Sequence, residues 1–435
     1  MIMKRTFILS LLLLGCHAVF AQQKDTLQKE PEHQFSINTT LWSRGEYRDG
    51  SLPADNGADF AAFLMSKNVV RLDYTGKHME ARFAPKFLGV WGAQGSGSLV
   101  VEEAWFGLMS GPWSMRLGRQ KIAYDDERII GTNDWSMATS THDLLKLAFE
   151  RGKHKVHLLA AFNQNDANMD GGTYYVNGEQ PYKTMQALWY HFDPTPELGA
   201  SLVFMNTGMQ SIEAKEADVT EFQQLFGVYA KWKPSYLTLE ASYYYQMGRD
   251  EYTLPIYAWM ASLEADGRIT DWLRLKGGYF FMSGDKNFFV PREGEIGVAR
   301  KTEVRGFNPI FGSHHQFYGA MDFFYISAYY GGNTPGLQDL HAGFQISPIK
   351  NLTLDASYHL LAASVPIPDT STQVLGHELE LEASLQINKD LSLSAGYSFM
   401  SGTETMQRLK RGDKDKLHWL WLMLTATPQF LNYKW

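Results

Sequence analysis

Apolar and polar residues alternate along most of this chain. In Leu391–Phe399 (LSLSAGYSF), Leu391, Leu393, Ala395, Tyr397 and Phe399 occupy one face, and Ser392, Ser394, Gly396 and Ser398 the other. Leu352–Leu360 sets Leu352, Leu354, Ala356, Tyr358 and Leu360 against Thr353, Asp355, Ser357 and His359. His377–Asn388 sets Leu379, Leu381, Ala383, Leu385 and Ile387 against Glu378, Glu380, Glu382, Ser384 and Gln386. A period of two is that of a strand with one apolar and one polar face. The pattern predicts strands at 34–47, 63–75, 78–91, 98–109, 113–123, 142–151, 154–164, 184–193, 197–207, 223–233, 236–248, 256–267, 271–284, 337–348, 351–363, 375–388, 391–402 and 416–427. That is about eighteen strands, an even number, each long enough to cross a bilayer at a tilt. Short connections recur at 152–153, 234–235 and 349–350, and longer polar ones lie between others.

A soluble β-sandwich also alternates, but its strands average about five or six residues and its apolar faces need a covering sheet. Here long apolar faces end in Tyr, Trp and Phe, as in an aromatic girdle. The fold class is therefore all-β: a single transmembrane antiparallel β-barrel of outer-membrane type. It is expected over 34–435, after a short polar lead-in at 22–33 and a cleaved signal peptide at 1–21. For the signal, Lys4 and Arg5 precede the apolar run FILSLLLL, and Val19-Phe20-Ala21 offers a cleavage site before Gln22. A competing reading is the lipobox Leu13-Leu14-Gly15-Cys16, in which Cys16 carries a lipid. Cys16 is the only cysteine, so cleavage after Ala21 leaves no disulfide framework and no thiolate chemistry. Pro428 is read as ending the last strand, which leaves the PQFLNYKW tail without an assignment.

Composition sharpens this picture. No other stretch approaches the ~18 apolar residues of a membrane helix. Aromatic content is 14% and there are 38 glycines, which fits a barrel whose apolar residues fall at every second position. The formal charge of −7 argues against a nucleic-acid partner.

Three segments carry a family resemblance. They are LGRQKIAYDDERIIGTNDW, Leu117 to Trp135, followed by His142-Asp143; FNPIFGSHHQFYGAMDFF, Phe307 to Phe324; and GHELELEASLQINKDLSLSAGYSFMSG, Gly376 to Gly402. Together they resemble the alginate-export family of outer-membrane porins. The resemblance implies an eighteen-stranded barrel whose arginine-lined lumen conducts an anionic polysaccharide; it does not settle the solute.

In a barrel the polar faces point inward. That sends Arg44, Glu46, Arg48, Arg71, Asp73, Glu80, Arg82, Lys86, Arg116, Arg274 and Lys276 to the lumen, because a charge on the lipid face costs ~2–4 kcal/mol near the midplane. Asp355, Glu378, Glu380 and Glu382 follow in the late strands. The bases cluster early in the chain and the acids late, which predicts a field across the pore. Guanidinium groups suit carboxylates and favour anions. The plainer alternative is pairing across neighbouring strands, as in Arg44–Glu46 or Arg71–Asp73. Leu117 to Ala123 is read as the top of the fifth strand, with Arg119 near the rim. Tyr124 to Thr141 is read as an outer loop in which Asp125, Asp126, Glu127 and Asp134 pin Arg128 and, with Trp135, shape the pore mouth.

Other chemistry is set aside. Ser357 and His359 lie two residues apart on one strand face, roughly 7 Å, too far for a nucleophile–base hydrogen bond. No G-x-S-x-G elbow occurs. His314-His315 lacks supporting ligand spacing, and Asp125-Asp126-Glu127 fails the calcium-loop pattern. The expectation is no catalytic residue, no metal and no cofactor. The function expected is a passive channel in the outer membrane of a Gram-negative bacterium, passing anionic oligosaccharides, uronates or small acids. Its partners would be membrane lipid, that solute and the barrel-assembly machinery. The alternative is a receptor or structural barrel plugged by its own segment 285–336.

Overall fold

The computed structural model describes residues 33–50, 60–93, 97–165, 167, 169, 181–212, 219–285, 302–324, 334–410 and 415–435. The expected signal peptide, Cys16 and nearly all of the lead-in lie outside these residues. The described chain forms one antiparallel sheet that closes on itself. Its strands are β1 Gln34–Asp49, β2 Ala61–Thr75, β3 Met79–Val90, β4 Ser98–Ser110, β5 Trp113–Gln120, β6 His142–Arg151, β7 His154–Phe162, β8 Thr184–Thr195, β9 Leu198–Gln210 and β10 Thr220–Trp232. They continue with β11 Leu237–Arg249, β12 Pro255–Arg268, β13 Leu273–Met282, β14 Leu337–Ile349, β15 Leu352–Ala362, β16 Val374–Asn388, β17 Leu391–Gly402, β18 Lys416–Ala426 and β19 Gln429–Lys434. A short helix, α1 Glu404–Lys410, lies between β17 and β18.

Each strand pairs with its chain neighbour, and β1 pairs with β2 on one side and with β18 and β19 on the other. The last two are halves of one closing strand, so the barrel has eighteen staves. Closure leaves no open ladder through the hydrocarbon layer, where an unpaired backbone group would cost several kcal/mol.

The tail corrects the sequence reading. Pro428 interrupts the ladder without ending it, because its carbonyl accepts from Thr39 N at 3.1 Å. The strand resumes at Gln429 and pairs with β1 as far as Gln34↔Lys434. Trp435 and His33 then exchange both backbone hydrogen bonds, at 2.8 and 2.9 Å.

Outward positions carry the apolar alternation, with Leu64, Phe83, Phe106, Leu117, Leu202, Leu263, Leu340 and Leu422 exposed. At the short-turn end this face finishes in Trp113, Trp232, Tyr236, Trp272, Tyr433 and Trp435, the amphipathic rings a membrane interface favours. The inner face differs from the expected uniformly polar lumen. Toward the long-loop end of β8–β13, Met185, Met205, Leu225, Tyr244, Met260 and Phe280 are inward and fully buried. They are apolar because loops fold into the barrel and pack on them, with Ile129, Ile130, Phe307, Tyr318 and Met321 in the same cluster.

Candidate functional site

Two loops fill part of the lumen. The first, 121–141, departs from β5, which ends at Gln120, three residues earlier than expected. It is not an outer loop. Asp125, Glu127 and Asn133 all have positive φ, between 51° and 62°, a conformation that persists only where surroundings impose it. Lys67 of β2 imposes part of it, donating to the carbonyls of Asp134 at 2.7 Å and Ser136 at 2.8 Å. Lys86 of β3 donates to Thr139 Oγ1 at 2.7 Å. Arg44 of β1 donates to the Trp135 carbonyl at 3.1 Å and lies 4.1 Å from the centre of that indole.

Arg128 anchors the opposite side. Its Nε donates to Asp126 Oδ2 and its Nη2 to Glu264 Oε1 of β12, both at 2.9 Å. The guanidinium is buried and lies 4.0 Å over the Phe317 ring. Burial alone would lower its pKa, but Asp126, then Tyr318 and Glu264, outweigh it and hold the charge above the ordinary arginine range. The loop therefore spans the lumen from β1–β3 to β12.

The second loop, 302–324, packs on the first. Gly131 N donates to the Phe311 carbonyl and Ser313 N to that of Glu127, both at 2.9 Å. Ser313 Oγ donates to Glu127 Oε2 at 2.9 Å. Gly312 lies against the Arg128 backbone, where any side chain would collide. Beyond it, Ala320 N and Met321 N donate to Glu380 Oε1 and Glu378 Oε1 of β16, at 2.6 and 2.8 Å. His315 stacks on Trp135 with ring centres 4.5 Å apart, and Trp135 meets Trp421 of β18 edge-on at 4.8 Å.

Below the loops lies a cavity of about 670 Å³. Its lining combines Trp135, Phe280, Phe317, Tyr318 and Trp421 with eight acids: Asp126, Glu240, Glu264, Asp266, Asp339, Asp355, Glu380 and Glu382. Against these stand Arg128, Lys276 and the histidines at 315, 341 and 359. The acidic wall belongs to β11–β16, opposite the bases of β1–β5.

Most of the bases expected to line a solute path are in ion pairs. Arg44 pairs with Glu46 at 2.8 Å and Arg48 with Glu46 at 2.9 Å. Arg82 bridges Asp73 and Glu103 at 2.6 and 3.1 Å, and Lys86 lies 3.4 Å from Glu102. Arg116 is bidentate on Glu80, at 2.6 and 3.2 Å. Arg274 pairs with Asp266 at 2.7 Å, and Lys276 with Asp355. Arg71 instead donates to Thr40 Oγ1 at 2.7 Å, and among the described residues it makes no ion pair.

Two expected pore-mouth positions change. Arg119 belongs to β5 on the same outward face as Leu117, where it makes a bidentate pair with Asp143, both bonds 2.8 Å. Strand alternation turns it away from the lumen, and Asp143 neutralises it there. Trp135 is inside the barrel rather than at its rim. Asp134 stays in the loop and pairs with Lys121 at 2.5 Å. Ser357 and His359 both turn to carboxylates, Asp355 and Asp339 respectively.

Sequence reasoning missed Lys67, Glu264 and the inward tryptophans. The run HWLWLM, apolar on both faces, was the available signal for the last: Trp419 and Trp421 face in while Leu420 and Leu422 face out.

A family model described as "Alginate export" matches residues 98–363, more than half of the chain. The chain belongs to the alginate export family. No curated protein matches it. Its fold is that of the Occ/OprD outer-membrane porins. Acinetobacter baumannii OccAB4 superposes with a TM-score of 0.60 at 10% identity, covering 93% of this chain and 100% of its own. Pseudomonas aeruginosa OpdL gives 0.63 at 12% identity, covering 91% and 99%, and OpdQ from the same organism gives 0.60 at 12%, covering 92% and 98%. Family and neighbours are channels, not enzymes.

Proposed function

We propose that this family member is a passive channel in the outer membrane of a Gram-negative bacterium, admitting short saccharides and small polar acids to a loop-lined constriction. The observation that carries the saccharide part is the cavity under the two loops, whose lining sets aromatic side chains, Trp135 and Trp421 among them, beside carboxylates and histidines. Aromatic faces take the apolar side of a flat, hydroxyl-rich solute, and the acids accept its hydroxyl hydrogens. The preference for anions has narrower support: the bank of bases on β1–β5, where Arg71 has no carboxylate partner among the described residues. Paired arginines contribute less to the field than free ones, so selectivity is expected to be modest. Lipid surrounds the barrel, and the barrel-assembly machinery inserts it.

A second reading, a barrel plugged by its own loops and serving as a receptor, is favoured by loops 121–141 and 302–324 spanning the lumen. Single-channel recording in planar bilayers separates the two. The channel reading expects discrete conductance steps, interrupted by brief blocks when short oligosaccharides are added. A folded barrel that conducts nothing overturns it.

A further inference from the structure

Asp339 and His341 of β14 and His359 of β15 form a compact cluster on the cavity wall. His341 and His359 are directly opposite in the β14–β15 register, with ring centres 5.1 Å apart. Both turn Nδ1 toward one carboxylate oxygen, Asp339 Oδ2, at 3.3 Å from His341 and 2.8 Å from His359. One ligand atom from each of the three residues lies within 4.8 Å of the others. Ligands around a tetrahedral ion with bonds of about 2.0–2.1 Å stand roughly 3.3 Å apart, comparable to the 3.3 and 2.8 Å that separate Asp339 Oδ2 from the two Nδ1 atoms.

The far sides of both imidazoles are also occupied. His341 Nε2 lies 2.8 Å from Glu264 Oε2, and His359 Nε2 lies 3.5 Å from Glu380 Oε1. Glu264 reaches His341 across Gly278, which stands between them in the strand register. A side chain at Gly278 would strike the Glu264 carboxylate. A carboxylate behind each histidine, with the other nitrogen facing the cluster, is the outer-shell arrangement that orients histidine ligands on a metal. A second observation points to a ligand. Asp339 is only 1% exposed, yet its Oδ1 has no hydrogen-bond partner among the described residues. Orphaned buried polar atoms are rare and costly.

We propose that Asp339, His341 and His359 bind a divalent transition-metal ion of the zinc class on the lumen wall. Two imidazoles and a carboxylate suit Zn²⁺, Ni²⁺ or Cu²⁺ over Ca²⁺ or Mg²⁺, which prefer all-oxygen shells. The three residues line the cavity, so the remaining coordination positions are open to water or to an oxygen of a passing solute. The sequence did not reveal the cluster because its ligands come from two strands separated by a turn.

The test uses the untagged full-length barrel in detergent, stripped by a chelator and then dialysed against Zn²⁺. Retention of a single ion per chain is expected, abolished in His341→Ala and in His359→Ala and unchanged in His315→Ala. Glu264→Gln is expected to weaken Zn²⁺ binding about 10–100-fold, as loss of an outer-shell partner does. If the alanine variants do not fold, Co²⁺ added to the wild-type barrel still decides the matter, since a low-symmetry site gives an intense visible absorption band. No retained Zn²⁺ and no Co²⁺ band, or equal retention in folded variants lacking both histidines, would overturn the proposal and leave a hydrogen-bonded acid–histidine network only.

Discussion

Arg128 reaches Glu264 across the lumen, Nη2 to Oε1 at 2.9 Å, from a loop 136 residues away in sequence. The same guanidinium holds Asp126 in its own loop. Removing a buried charge from such a pair strands the partner carboxylate and costs ~3–5 kcal/mol. Arg128→Met is therefore expected to release loop 121–141 while leaving the barrel ladder intact. Limited proteolysis should cut within 121–141 sooner than in the wild type, and single-channel conductance should rise. Unchanged protection and unchanged conductance would show that the loop is held without this pair.

Selectivity is expected to follow unpaired charge. Arg116 and Glu80 form a closed bidentate pair, so removing both leaves the net charge and most of the field as they were. Among the described residues Arg71 donates only to a hydroxyl. Reversal potential in a salt gradient should shift toward cations in Arg71→Ala and stay put in the double variant Arg116→Ala, Glu80→Ala. Equal shifts in the two would refute a selectivity set by unpaired bases.

What the sequence revealed and what it hid have physical reasons. The closed sheet was legible because lipid demands an apolar residue at every second position, and Leu391–Phe399 and Leu352–Leu360 obey this across their length. The strand after Pro428 was hidden because proline removes one donor, yet β1 needed only a carbonyl acceptor at that point. Trp135 was placed at the rim because a polar loop between strands ordinarily lies on the surface. Here its polar groups are satisfied from within the barrel, by Lys67, Lys86 and Arg44. Such contacts join residues 53 to 91 positions apart and leave no periodic trace. Arg119 was misjudged for a nearer reason. It follows Leu117 by two residues and so shares its outward face, and only Asp143 on the next strand makes that tolerable.

The closing strand predicts a stability test. Residues 429–434 supply the partner ladder for the first residues of β1, and Trp435 stacks on His33 at 5.5 Å. Deleting 429–435 leaves Gln34–Asn38 paired on one side only. The truncated barrel should still show heat-modifiable gel mobility, but should lose it at a lower temperature than the full chain. An identical transition temperature would mean that β18 alone completes closure.

Acid should loosen the second loop. His314 is half-buried in 302–324, and burial, opposed by Asp322, pushes its pKa below the ordinary histidine range. A detached loop would take up a proton at about pH 6.5, whereas the packed loop takes it up only lower. The released state therefore binds more protons in that window, and packing stability falls as pH drops below the ordinary value, levelling off once the packed histidine also titrates. Proteolysis within 302–324, followed from pH 8 to pH 5, should accelerate on the acid side in the wild type. His314→Gln, which cannot titrate, should flatten that dependence without changing the rate near pH 8. An acid acceleration that persists in full in His314→Gln would show that the sensitivity does not come from the buried His314 ring.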